Sequence, residues 1–239
     1  MSTVVMLVLT TCLIVSPHVV AQTTEDGLAP GEPWSKPLWV VHRGGEVERP
    51  ENTMAAITHS VELGARYIEI DLHATDDGKI VLLHDDTLDR TTSGSGPVGE
   101  HIWAQIRDLD AGSWKDPSFS HARIPLLSEV LGFCKQNGVR VLLDVKDPAA
   151  AGASLWELLN QFDMVDDCRV YMRAGASVAE VRAALDPRLT FFPDSLIQAG
   201  GAGTPGEKMQ RSLDSDNPAM VGALVKSYQW VLDFYSQAE

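Results

Sequence analysis

Histidine and arginine side chains stand where short apolar runs of this chain end. His42 and Arg43 directly follow Val40 and Val41 in "VVHRGG", and His84 follows the run "KIVLL". A histidine can accept or donate a proton near neutral pH, because the pKa of an unperturbed imidazole is about 6.5. A single histidine is usually structural, but two at equivalent positions predict acid and base chemistry.

Two carboxylates share one face of the segment "RYIEIDLHAT". Side chains alternate between the faces of a strand, so Glu69 and Asp71 lie opposite an apolar set. That set is Ile68, Ile70 and Leu72. Adjacent buried carboxylates are costly unless a cation neutralises them, which predicts a hard divalent metal ion rather than solvated edge residues. His73 shares their face, and we expect it to order a neighbouring carboxylate rather than to bind the metal.

A further apolar run, "RVLLDVKD", adds a carboxylate and a cation. Asp144 and Lys146 fall on one face of this strand, and Leu143 and Val145 fall on the other. The set then comprises two imidazoles, two cations and three carboxylates, which are the groups that phosphate-ester cleavage requires. Arg43 beside the first histidine is suited to grip a phosphate oxygen.

Apolar strand-like segments and amphipathic helical segments alternate along the chain. The candidate strands are "LWVV", "YIEIDLH", "KIVLL", "RVLLDVK", "CRVYM", "LTFFP" and "VGALVK". Between most of them lie candidate helices at residues 53–63, 127–136, 155–162 and 178–185. Strand and helix in series indicate parallel pairing. We therefore predict a (β/α)₈ barrel whose active site lies at the C-terminal ends of the strands.

The number of strands is one short of a complete barrel. The chain has 239 residues, and its last segment, "WVLDFYSQAE", is amphipathic with no apolar run after it. From Leu38 to Glu239 there are 202 residues, whereas barrels of this type typically have about 250. We therefore expect this chain to lack the C-terminal strand or strands of the barrel. An open barrel exposes two unpaired edges, which predicts aggregation or dependence on a partner.

The N-terminal residues and the net charge indicate where the protein acts and which classes of partner it is unsuited to bind. Residues 1–21 have the apolar run and the small residue at the end that are typical of a secretory signal peptide, so we expect a secreted or extracytoplasmic protein. The predicted barrel domain comprises residues 38–239. The apolar run is too short to anchor the chain in a membrane. A formal charge of −14 argues against nucleic acid and anionic lipid surfaces as partners. The oligomeric state is left open.

Two cysteines remain after the predicted leader. Cys134 and Cys168 lie in apolar settings without the spacing of a metal site or a redox pair. We expect two buried thiols in preference to one disulfide.

Four sequence blocks resemble the glycerophosphodiester phosphodiesterases in order and spacing. They are "HRGG" with "PENT", "EIDLHATDDGKIVLLHDDTLDRTT", "IPLLSEVL" and "LLDVKD". Members of that family fold as (β/α)₈ barrels, bind a divalent metal and hydrolyse phosphodiesters of glycerol to an alcohol and glycerol 3-phosphate. The resemblance thus implies a small-molecule glycerophosphodiester or a lipid-derived substrate.

The resemblance also implies a role for each matching residue. His42 and His84 correspond to the acid and base, Glu69 and Asp71 to metal ligands, and Arg43 and Lys146 to phosphate contacts. Glu51 and Asn52 of "PENT" correspond to residues that hold the pocket by hydrogen bonds, with a direct contact to substrate or metal as an alternative.

One position departs from the family's usual pattern. The family has Glu-x-Lys where this chain has Asp144 and Lys146, a variant that also resembles a fungal phospholipase-type branch acting on phosphatidylglycerol. The shorter Asp144 carboxylate favours Ca²⁺ over Mg²⁺ slightly, because calcium tolerates less regular coordination. A lipid phosphodiesterase of the phospholipase C or D type therefore stays open as an alternative. A truncated, non-catalytic phosphate-binding protein is a second alternative, because the predicted barrel is one strand short.

Overall fold

The computed structural model describes residues 38–172, 183–193, 197–198, 222–226 and 229. The predicted signal peptide and the C-terminal segment "WVLDFYSQAE" lie outside these residues, as does most of the helix predicted at 178–185. Within the described part of the chain, none of the helices has the length and apolar character needed to cross a membrane.

The strands form one sheet in which parallel pairing dominates. They are β1 Leu38–Val41, β2 Tyr67–Ala74, β3 Ile80–Leu82, β4 Arg140–Val145, β5 Cys168–Met172, β6 Phe191–Pro193, β7 Ile197–Gln198 and β8 Gly222–Val225. Seven of them are hydrogen-bonded side by side in the order β6-β5-β4-β2-β1-β8-β7. The chain therefore steps outward from β1 to β6 and returns with β8 on the other side of β1, with Leu38 opposite Gly222. This order agrees with the predicted barrel.

The direction predicted for "KIVLL" is wrong. β3 runs antiparallel to the end of β2, with Leu72 opposite Leu82 and Ala74 opposite Ile80. The physical reason is the short connection at residues 75–79, since a parallel crossover needs a dozen or more residues. A tight turn closes this hairpin, in which Gly78 has φ +73° and donates its N–H to Thr75 O at 2.8 Å. β3 is therefore an addition to the barrel strands rather than one of them.

Among the described residues, four α-helices cover the outer face of the sheet or the loops beside it. They are α1 Met54–Glu62, α2 Trp103–Ile106, α3 Leu127–Asn137 and α4 Pro148–Gln161. The helix predicted at 155–162 begins earlier than expected, and Gly152 interrupts its regular geometry at φ +38°. Ile68, Ile70 and Leu72 of β2 are fully buried in the core that the helices share with the sheet, so the predicted apolar face of β2 is confirmed.

Both remaining cysteines are buried free thiols, as predicted. Cys134 lies on α3 and Cys168 begins β5, and both belong to the core between helices and sheet. Burial raises the pKa of the Cys134 thiol to about 12. These groups are packing residues without thiolate reactivity at neutral pH.

Candidate active site

The chain turns sharply where β1 ends, and this turn presents His42 and Arg43. Arg43 has φ +50° and Gly44 has φ +71°, so the backbone enters the left-handed region there. A side chain at Gly44 would lie 2.7 Å from Ile57 Cγ1 on α1, so glycine permits the close contact between turn and helix. The strained backbone of Arg43 directs its N–H to Glu69 Oε2 at 2.9 Å.

Three carboxylates from the neighbouring strands β2 and β4 meet at one point. Glu69, Asp71 and Asp144 each offer an oxygen within 4.8 Å of the others, and all three residues are buried. The parallel register between β2 and β4 places Asp71 directly opposite Asp144. The structure thus brings together the three metal ligands that the sequence predicts.

The electrostatics of this acidic cluster (Glu69, Asp71 and Asp144) favour a cation. Burial raises the pKa of Glu69 well above its ordinary value, and the neighbouring charges of Asp71 and Asp144 raise it further. The ionised form of Glu69 is therefore disfavoured unless positive charge is added beside it. Three converging carboxylate oxygens form the kind of donor set that Mg²⁺ or Ca²⁺ takes, so the residues fit a hard divalent ion.

Two protein cations already border the acidic cluster. Lys146 Nζ lies 2.6 Å from Asp71 Oδ1 and 2.6 Å from Asp144 Oδ2. Arg43 Nε lies 3.5 Å from Asp71 Oδ2, and this buried N–H makes no hydrogen bond among the described residues. Both residues that the sequence assigns to phosphate are thus beside the acidic cluster, and Arg43 Nε is a donor available to a ligand.

The "PENT" loop supports the acidic cluster from the side. Asn52, at φ +55°, donates from Nδ2 to Asp71 Oδ2 at 2.7 Å and accepts from Asp71 N–H at 3.1 Å. Glu51 accepts a hydrogen bond from Arg43 Nη1 at 2.9 Å. The structure gives both residues the hydrogen bonds that the sequence interpretation assigned to them.

His42 is oriented by a carboxylate four residues later. Its Nδ1 lies 3.1 Å from Glu46 Oε1, and because a carboxylate can only accept, Nδ1 carries the proton. Its Nε2 lies 3.9 Å from Glu69 Oε2, at the edge of the acidic cluster. Lys226, which follows β8, lies 3.0 Å from Glu46 Oε1, so the last described strand contributes to the same network.

His84 lies two residues beyond β3 and has an analogous partner. Its Nδ1 lies 2.7 Å from Asp85 Oδ1. Arg90 donates to Asp85 from Nε at 2.6 Å, and its hydrogen bonds hold the pKa of Asp85 below its usual range despite partial burial. The two histidines therefore share one arrangement, with Nδ1 bound to a carboxylate.

His73 is not brought to the acidic cluster. Its Nε2 is buried without a hydrogen-bond partner, and the carboxylate oxygen beside it, Asp86 Oδ1, is 3.8 Å away. The antiparallel β3 places Val81 opposite this residue, away from β4.

The sequence analysis did not predict four residues of this site. They are Glu46, Asp85, Arg90 and Lys226, each in contact with a predicted residue or with its partner. Asp85 could have been found because it directly follows His84, within hydrogen-bonding reach of the ring. Arg90 carried no such signal, since the loop that returns it to Glu51 has no regular periodicity.

Parallel strands that alternate with helices and carry acidic and basic side chains near their C-terminal ends are typical of a (β/α) barrel with a site at that edge of the sheet. Residues 42–185 match the Glycerophosphoryl diester phosphodiesterase family. The chain belongs to this family.

Relatives and solved structures agree with this membership and with the predicted barrel fold. A glycerophosphodiester phosphodiesterase of Caldanaerobacter subterraneus subsp. tengcongensis is 41% identical over 111 residues, covering 46% of this chain and 46% of that protein. The chain spans about half the length of the curated relatives it matches.

Two solved structures cover most of the chain. The glycerophosphodiester phosphodiesterase from Agrobacterium tumefaciens str. C58 is 25% identical with a TM-score of 0.68, covering 84% of this chain and 99% of that one. An Oleispira antarctica phosphodiesterase in complex with the product sn-glycerol-3-phosphate is 24% identical with a TM-score of 0.64, covering 84% of this chain and 90% of that one.

Proposed function

We propose that this protein hydrolyses glycerophosphodiesters to an alcohol and glycerol 3-phosphate with the help of a divalent metal ion. The observation that carries the proposal is the convergence of three buried carboxylates, Glu69, Asp71 and Asp144, beside His42 and two cations. The names of the relatives support the substrate class, and the Oleispira antarctica phosphodiesterase holds the product that we propose for this chain.

Glu69, Asp71 and Asp144 are the residues that would hold the metal, Ca²⁺ or Mg²⁺. When bound, such an ion supplies positive charge to the phosphoryl oxygens and so stabilises the charge of the transition state. Lys146 and Arg43 border the same carboxylates and direct their donors toward the same space. They bind and orient the phosphate, and Arg43 Nε is the donor free to do so.

His42 and His84 act as the proton-transfer pair. In both residues Nδ1 is bound to a carboxylate, so Nε2 is the atom left to accept a proton from the attacking water or substrate hydroxyl group or to donate one to the leaving alcohol. His42 Nε2 lies at the edge of the acidic cluster, which places it beside the phosphate that Arg43 and Lys146 would hold.

The proposal is tested by incubating the full chain with soluble glycerophosphodiesters and, in parallel, with phosphatidylglycerol vesicles. We expect release of glycerol 3-phosphate from the soluble diesters in the presence of Mg²⁺ or Ca²⁺ and none in excess chelator. Hydrolysis of the vesicles alone would favour the lipid phosphodiesterase. Binding of glycerol 3-phosphate without turnover of either substrate would favour a non-catalytic protein.

We also propose that the protein acts outside the cytoplasm. The apolar composition of residues 4–15 supports this proposal. Recovery of the full chain from the culture medium or periplasm of an expressing bacterium, shortened near residue 21, is the expected result.

A further inference from the structure

Glu51 binds two arginines that come from different parts of the chain. Its Oε1 accepts from Arg43 Nη1 at 2.9 Å and from Arg90 Nη2 at 2.7 Å, and its Oε2 accepts from Arg90 Nη1 at 3.1 Å. Glu51 is only 8% exposed, so these hydrogen bonds form in an environment that strengthens them. A carboxylate shared in this way fixes the two guanidinium groups relative to each other.

Arg90 continues this network to the second histidine. Its Nε donates to Asp85 Oδ2 at 2.6 Å, and its Nη2 donates to Asp85 Oδ1 at 2.9 Å. Asp85 Oδ1 in turn lies 2.7 Å from His84 Nδ1. The planar guanidinium of Arg90 therefore spans two carboxylates at once, which a lysine ammonium cannot do with the same fixed geometry.

We propose that Asp85 and Arg90 are positioning residues that fix His84 with its proton on Nδ1, and that Glu51 couples this histidine to Arg43. The proposal rests on the proposed function, because it assigns Nε2 of His84 to proton transfer. The contacts run without a break from Arg43 through Glu51, Arg90 and Asp85 to His84. One side of the network orients the phosphate-binding arginine, and the other side orients the proton-transfer ring.

This network differs from an ordinary surface ion pair in its geometry. Isolated exposed pairs contribute little because long side chains lose entropy and water screens the charges. Here Arg90 is engaged on both of its edges, one of its two partners is buried, and both pairings are bidentate. Loss of Arg90 would release Asp85 and Glu51 together, so it should affect proton transfer and phosphate binding at the same time.

The direct test is the protonation site of the His84 ring, measured by ¹⁵N nuclear magnetic resonance on the full chain with labelled histidine. The His84 signals are assigned by their absence in His84→Ala, and spectra are recorded at a pH where the ring signals no longer change. The test variants are Arg90→Gln, Arg90→Lys and Asp85→Ala. Arg107→Gln is the matched control, because Arg107 is an exposed arginine between β3 and α3 whose ion pair within the described part of the chain is with Asp108.

We expect the wild-type protein and Arg107→Gln to show His84 protonated on Nδ1, and the three test variants to show a mixture of the two neutral ring forms. We expect kcat to fall about 10–100-fold in Arg90→Gln, as for other residues that orient an active-site group. We expect KM to rise in that variant and to stay near the wild-type value in Asp85→Ala, which leaves Glu51 and Arg43 in place.

An unchanged Nδ1 proton in both Arg90 variants would overturn the role of Arg90, and an unchanged Nδ1 proton in Asp85→Ala would overturn that of Asp85. If Arg90→Gln fails to fold, Arg90→Lys, which keeps the charge, decides the first question. The ring measurement needs no turnover. A shifted His84 proton in a protein inactive on every diester would therefore refute the proposed function and leave the positioning network standing.

Discussion

Asn52 and Asp71 are joined by two hydrogen bonds that run in opposite directions. Asn52 Nδ2 donates to Asp71 Oδ2 at 2.7 Å, and Asp71 N–H donates to Asn52 Oδ1 at 3.1 Å. Both residues are buried, with 2% and 1% of their surface exposed. The loop after the first strand thereby holds one metal-site carboxylate by its side chain and by its backbone.

We predict that Asn52→Ala lowers the free energy of unfolding by on the order of 2–4 kcal/mol, because two buried hydrogen bonds are lost and alanine is strained at φ +55°. Urea denaturation followed by circular dichroism measures the change. Asn137→Ala is the control, since Asn137 is exposed and its side chain, within the described residues, donates only to Phe133 O. A variant as stable as this control would show that the pair does not hold the loop.

We predict that His42→Ala and His84→Ala each lower the turnover number by about 10²–10⁴ while the fold is retained, because loss of a proton-transfer group has this effect. Both rings are partly exposed at the strand ends and do not belong to the apolar core. Rates and thermal unfolding are compared with those of His121→Ala, an exposed histidine outside the site. Near-normal activity of either variant removes that histidine from the mechanism.

The acidic cluster could be predicted from the sequence because strand alternation is a local property. Glu69 and Asp71 share a face of β2 whatever the rest of the chain does. The neighbouring position of Asp144 followed from the rule that parallel strands end at the same edge. The register that sets Asp71 opposite Asp144 was not predictable, since it depends on packing along the full length of both strands.

The parts that sequence reasoning missed depend on loops. Apolar composition predicts that β3 is a strand but not its direction, because the direction depends on the length of the connection before it. Arg90 meets Glu51 across a separation of 39 residues, and no periodic pattern reports such a contact. Glu46 binds the ring of His42 because a left-handed turn intervenes, and that conformation was not deduced from "HRGGE".

Glu46 provides a test through pH. Burial raises the pKa of this carboxyl, but hydrogen bonds from His42 and Lys226, with the charges of His42 and Arg43, lower it from 4.5 to about 2. A carboxyl with a lowered folded-state pKa stabilises the fold above its unfolded pKa and loses that contribution as the pH falls through the folded value. The stability difference between wild type and Glu46→Gln should therefore be larger at pH 4.5 than at about pH 2 and should shrink as the pH falls between these values.

Urea denaturation at a series of pH values measures this difference. Glu62→Gln, which changes an exposed glutamate of α1, is the control and should show no such trend. A wild-type advantage that persists unchanged at the acid end of the series would contradict the assigned pKa.

The last prediction concerns metal binding by the acidic cluster. Lys146 Nζ lies 2.6 Å from Asp71 Oδ1 and 2.6 Å from Asp144 Oδ2, but Asp71 is also held in place by Asn52 on both its side chain and its backbone. A ligand that its neighbours hold in place contributes more to binding than one that must be ordered when the ion binds. Asp71→Asn should therefore weaken metal binding more than Asp144→Asn, as measured by calorimetric titration with Ca²⁺ and with Mg²⁺.

In the wild-type protein, the bound ion should also raise thermal stability, because a ligand that binds only the folded state at 100 times its Kd adds about 2.7 kcal/mol. Asp108→Asn is the control, since this exposed aspartate pairs with Arg107 alone among the residues that the structure describes and lies outside the acidic cluster. Equal losses of affinity in Asp71→Asn and Asp144→Asn would refute the unequal roles of the two carboxylates. Full hydrolytic activity in excess chelator, with no thermal response to either ion, would refute the metal site itself, and Glu69, Asp71 and Asp144 would then serve only to orient Lys146 and Arg43.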